Sequence, residues 1–128
     1  MITQQINTDD APLAVGPYSQ GIIAGDLVFT AGELPVNPET GEVPESTEDQ
    51  IRQALKNVSA ILSKANVPRN NVASVVVYLT DIRDFSQMNL IYQEFFDEPY
   101  PARSCVQVSA LPKGVRIMVS AIGVKSTE

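Results

Sequence analysis

Apolar and polar positions along the chain follow two periods, and each period predicts one type of element. From Ile51 onward the apolar residues Ile51, Ala54, Leu55, Val58, Ile61, Leu62 and Ala65 recur in steps of three and four. That spacing gathers them on one stripe of a helix. Thr47 and Gln50 read as its capping box, Glu48 and Asp49 suit the positive end of its dipole, and Asn66 and Pro68 end it. The other face, with Arg52, Gln53, Lys56 and Asn57, reads as solvated. A second stripe is Phe85, Met88, Ile91, Tyr92, Phe95 and Phe96, opened by Asp84 with Gln87 at the capping-box position. Its aromatic rings read as core because of the area they bury.

The remaining apolar runs are short and rich in β-branched residues, which predicts strands. Ile22-Ile23 and Leu27 to Ala31 flank Ala24-Gly25-Asp26 and read as a β-hairpin. Val72 to Thr80 is apolar at nearly every position, as in a strand buried on both faces. Cys105 to Leu111 and Val115 to Val124 are two further strands, separated by Pro112-Lys113-Gly114. The start of the chain, through Asp9, Asp10, Pro12, Gly16 and Pro17, reads as loop, and Glu33 to Ser46 as a long connection. The order is hairpin, helix, strand, helix, strand, strand. It predicts an α+β domain spanning 1-128, with two helices packed on one face of a mixed sheet. The uncovered face, or a sheet edge, then calls for a second subunit.

Composition narrows the chemistry. With 128 residues, 44% hydrophobic and 19% charged, the chain fits an ordinary globular domain. A net charge of −6 and scattered cations argue against nucleic acid as partner. No apolar run is long enough for a membrane span, and no signal-like start is evident, so a cytoplasmic location is expected. The absence of histidine removes Ser-His and Cys-His pairs, and the lone Cys105 removes an internal disulfide. Neither a metal nor an organic cofactor is implied.

The stretch Tyr100-Pro101-Ala102-Arg103-Ser104-Cys105 carries the most chemistry. Pro101 stops a helix and biases Tyr100 toward extended backbone. Arg103 then stands at the mouth of a strand. It reads either as a surface arginine or as a fork of donors that grips a substrate carboxylate.

Four motifs in order resemble the RidA family, also called YjgF. They are Gly16-Pro17-Tyr18-Ser19-Gln20-Gly21, Ala31-Gly32-Glu33-Leu34-Pro35, Met88-Asn89-Leu90-Ile91-Tyr92 with Phe95-Phe96, and Pro101-Ala102-Arg103-Ser104-Cys105. The resemblance spans essentially the whole chain. It implies a chorismate-mutase-like fold and a homotrimer with ligand clefts between subunits. It also implies hydrolytic deamination of enamine and imine acids such as 2-aminoacrylate and 2-iminobutyrate to 2-ketoacids and ammonia. Under it, Arg103 matches the carboxylate-binding arginine and Tyr18 the cleft tyrosine. Asn89 matches an asparagine near the site, and Cys105 a residue whose backbone N–H faces the ligand. Tyr18 also reads as an interface tyrosine, Asn89 as a solvated helix residue and Cys105 as an inert buried thiol.

Three positions depart from the family pattern. Where the family's last strand carries Ile-Glu-Ile-Glu-Ala-Ile, this chain has Ile117 to Ile122 with Met118 and Ser120 at the two glutamates. The water-positioning glutamate therefore falls at Met118, which transfers no proton. Ala31-Gly32-Glu33 stands where Ser-Gly-Gln is common. Glu33 reads either as a solvated loop carboxylate or as a substitute acid, and the Tyr18 hydroxyl could hold the water instead. The missing carboxylates keep open a non-catalytic binder of small carboxylates or 2-ketoacids. The family's other label, an endoribonuclease that inhibits translation, fits the charge poorly.

Overall fold

The computed structural model describes residues 3–127. Six strands form one mixed sheet: β1 (Thr3–Ile6), β2 (Gly21–Ala24), β3 (Leu27–Thr30), β4 (Val72–Leu79), β5 (Ala102–Gln107) and β6 (Ile117–Val124). Their order is β1-β2-β3-β6-β4-β5, and only β4 and β5 run parallel. Two helices, α1 (Thr47–Lys64) and α2 (Phe85–Phe95), pack on one face. This is the expected α+β, chorismate-mutase-like architecture.

The two helical stripes build the core. Ile51, Leu55, Val58, Ile61 and Leu62 of α1 are at most 2% exposed. Met88, Ile91, Tyr92 and Phe96 close the other side. On the sheet, Val28, Val75, Val77, Leu79, Ile117 and Val119 face these helices and are buried. The apolar run of β4 predicts burial on both faces, but in one chain it is buried on one. Val76 and Tyr78, which point the other way, stay half-buried because both helices lie opposite.

Local expectations are corrected in several places. Polar Thr3, Gln4 and Gln5 form a strand with only Ile6 buried, and they pair with β2. Pairing with a neighbour, not pattern, makes that strand. The hairpin turn is Gly25-Asp26, with Gly25 at φ 63°. The cap of α1 is Ser46, whose hydroxyl accepts from the Asp49 N–H at 3.1 Å. Gln50 is not a capping partner. It donates to Pro44 O and accepts from the Arg116 N–H, both at 2.9 Å. Asp84 holds Arg116 through bonds of 2.9 to 3.2 Å and does not cap α2 with its side chain. β5 begins at Ala102, so Arg103 lies inside a strand and not at its mouth.

Asn57 is the largest departure. It is fully buried, although it sits on the face that reads as solvated. Its Nδ2 donates to Leu34 O at 3.0 Å and Val36 O at 2.9 Å, and its Oδ1 accepts from Gln53 Nε2 at 2.8 Å. The long connection after β3 folds over this part of α1, and its carbonyls need a donor there. Asn57→Ala leaves both carbonyls buried without one, and should lower unfolding stability by about 2–4 kcal/mol. Urea titration checks this, with the exposed neighbour substitution Lys56→Ala expected to change stability by less than about 0.5 kcal/mol.

Candidate functional site

The register decides which candidate residues can meet. Arg103 pairs with Val75 and Cys105 with Val77, so both side chains point to the helix-covered face. There the Arg103 guanidinium stacks on α2, with its carbon 4.8 Å from the Tyr92 ring centre and 5.6 Å from that of Phe85. Among the described residues no carboxylate forms an ion pair with it. Arg103 lines a groove of about 540 Å³ with Asn89, Tyr92, Gln93, Tyr100 and Glu98. Asn89 comes to Arg103 because it lies three residues before Tyr92 on one helix face.

The groove opens at a sheet edge, since β5 pairs only with β4. The Val108 N–H donates to Leu79 O at 2.8 Å, which fixes the phase of the parallel ladder. Alternation then turns the N–H of Cys105 away from β4, toward the open edge. The Cys105 thiol goes the other way, against the core. Burial pushes its pKa up and the nearby Arg103 charge opposes that only in part, so the sulfur stays a protonated thiol at neutral pH.

Tyr18, Ala31, Gly32, Glu33 and Met118 gather elsewhere, around a cavity of about 760 Å³. Met118 pairs with Tyr78 and lies on the face without helices. It packs flat over Gly32, where an added Cβ would stand 2.8 Å from the Met118 sulfur. A larger residue at 32 would make the flexible Met118 side chain shift. Tyr18 is half exposed in the loop before β2. That loop is tied down by Gln20, which is 1% exposed. Gln20 Nε2 donates to Thr8 O, Ala11 O and Pro12 O, and its Oε1 accepts from the Thr8 N–H at 2.8 Å.

Glu33 is not a solvated loop carboxylate. It is 5% exposed and bridges Val119, with N–H to carbonyl bonds of 2.7 and 3.1 Å. The bridge places its side chain on the Val119 side of the sheet, opposite to Met118. Burial pushes its pKa from 4.5 up to about 8, so it is neutral at pH 7.

The candidate residues therefore fall into two separate groups within one chain. Arg103, Asn89 and the Cys105 N–H belong to one, and Tyr18, Ala31, Gly32, Glu33 and Met118 to the other. Tyr92 and Tyr100 were not legible as groove residues. The spacing of Asn89 and Tyr92 was the available signal, masked because the Tyr92 ring is also core, 4% exposed. The Tyr92 hydroxyl has no hydrogen-bond partner among the described residues, and burial pushes its pKa up to about 12.

A family model described as endoribonuclease L-PSP matches residues 8–125. A 2-iminobutanoate/2-iminopropanoate deaminase of Escherichia coli (strain K12) is 43% identical over 127 residues, 97% of this chain and 99% of its own length. The chain belongs to the RidA/YjgF family. Solved members of that family share its backbone. E. coli TdcF with bound serine superposes with a TM-score of 0.92 at 46% identity, covering 96% of this chain and 99% of that one. The E. coli YjgF gene product gives 0.92 at 43% identity, with the same coverage of 96% and 99%.

The Glu33 carboxyl makes stability depend on pH. The folded state keeps this proton to about pH 8, whereas an unfolded chain releases it near 4.5. Its contribution is therefore full below about 4.5 and is lost as pH rises toward 8. Glu33→Gln should flatten the fall in Tm across that window, as calorimetry at a series of pH values will read.

Proposed function

We propose that this RidA/YjgF member deaminates reactive 2-imino acids to 2-ketoacids and ammonia in the cytoplasm. The observation that carries the reading is the Arg103 guanidinium, stacked on Tyr92, without an ion pair and lining a groove at an open strand edge. A charge left unpaired in such a groove is suited to a small carboxylate. The outward N–H of Cys105 adds a second donor along the same edge.

The reading needs neighbouring copies, which the family resemblance makes a homotrimer, because the two groups of candidate residues stay apart within one chain. The sheet face without helices offers the contact. Phe29, Ser74, Val76, Ser120 and Ile122 line a shallow groove there, and Phe29 is 37% exposed. Docking that face on a neighbouring copy would bring the Tyr18 and Gly32 side of one subunit toward Arg103 of the next.

Chemically, Arg103 fixes the substrate carboxylate and so the position of the C=N carbon. Water adds to that carbon, and the nitrogen leaves as ammonia after gaining a proton. The Tyr18 hydroxyl is the group that would hold the water. Met118 supplies neither proton nor charge, which favours a second reading as a non-catalytic binder of 2-ketoacids.

One experiment separates the two. The imine is generated by a dehydratase acting on threonine, and 2-oxobutanoate release is followed with and without the protein. Deamination predicts release faster than in buffer, lowered at least 10-fold by Arg103→Ala. The binder predicts Arg103-dependent 2-oxobutanoate binding by calorimetry with no acceleration. Sedimentation should give a trimer, and a monomeric particle would count against both.

A further inference from the structure

The larger cavity is far bigger than a methyl or ethyl group requires. Its volume of about 760 Å³ falls in the range of sites that hold drug-sized ligands. Leu13, Val15, Leu34, Val36 and Met118 supply most of its apolar wall. Leu13 is 62% exposed and Val15 is 90% exposed in the single chain. Both stand on the loop that Gln20 pins through four hydrogen bonds, so they are held in place while remaining uncovered.

Charge at this wall is also low. Of the lining residues only Glu33 and Lys113 are of charged types, and burial pushes the Glu33 pKa up to about 8. The face of β6 that meets the cavity presents Met118, folded over Gly32. A thioether is polarizable and conforms to irregular apolar shapes. Gly32 and Tyr18, which flank this wall, are the candidate contacts to the reacting end of the substrate.

We infer that the wall of Leu13, Val15, Leu34, Val36 and Met118 receives the substrate side chain, so that the preferred 2-imino acids carry branched aliphatic or aromatic groups. The inference rests on the deaminase reading. Arg103 fixes one end of the substrate, and the wall selects the other. Each further CH₂ buried there should raise kcat/KM by about 4-fold.

The test uses imines made by an amino-acid oxidase from leucine, phenylalanine and 2-aminobutanoate, with ketoacid release compared at equal flux. The wild type is expected to favour the leucine-derived imine over the 2-aminobutanoate-derived one, with two fewer side-chain carbons, by about 16-fold in kcat/KM. Met118→Glu should bring that ratio close to one, because it sets a carboxylate against the apolar group. Leu13→Ser, at an exposed loop position that tolerates change, should lower the ratio about 3-fold and guards against misfolding of the first variant. A wild-type ratio at or below one overturns the inference while leaving deamination standing, as does a ratio unmoved in both variants. If the wild type accelerates none of the three imines, the deaminase reading falls and this inference with it.

Discussion

Everything at the candidate site follows from a sheet whose helices lie on one face only. Side chains on a strand alternate between faces, so each residue is committed to the helix side or the open side by its register. Arg103 shares a row with Val75 and is committed to the helix side. Met118 shares a row with Tyr78 and is committed to the open side. No change of side-chain rotamer moves either across the sheet. Within one chain the two groups of candidate residues therefore stay apart.

Loops build the second group of candidate residues, and loops lack a ladder to satisfy their backbone. Buried side-chain amides do that work here. Gln20 holds the segment around Thr8 to Pro12, Asn57 holds Leu34 and Val36, and Gln50 joins Pro44 to the backbone of Arg116. Each amide offers donors and an acceptor in one rigid plane, so one side chain fixes several carbonyls. The walls that carry Tyr18, Gly32 and Glu33 are thereby as firmly placed as residues on strands. A binding surface assembled this way loses less conformational entropy when a ligand arrives.

The acid–base chemistry is unusual in where the ionisable groups stand. The one carboxyl at the larger cavity is neutral at pH 7 because burial denies it hydration. The thiol at the smaller groove is neutral for the same reason. The tyrosine beneath Arg103 is shifted further from ionisation. The guanidinium of Arg103 is the cation of the smaller groove, whose lining also includes Glu98. Under the proposed reading this guanidinium holds the anionic substrate, and proton transfer is left to water and hydroxyl groups.

How much of this was legible from residues alone depended on whether a local pattern or a distant partner made the decision. The stripes of α1 and α2, the Gly25 turn and the apolar strands were readable because periodicity records which face is buried. The motif around Arg103 was readable because a proline, an arginine and a strand start lie within a few residues. β1 was not, since Thr3 to Gln5 carry no apolar alternation and owe their strand to β2. Nor was the burial of Asn57, because the carbonyls that recruit it lie more than twenty residues away. Glu33 looks like any loop carboxylate until its bridge to Val119 takes it out of water. The sequence by itself determined the elements, the Arg103 guanidinium beside Pro101 and the missing carboxylate at Met118. Only the tertiary structure decided which face each side chain serves, because register, burial and pKa are set by neighbours far away in the chain.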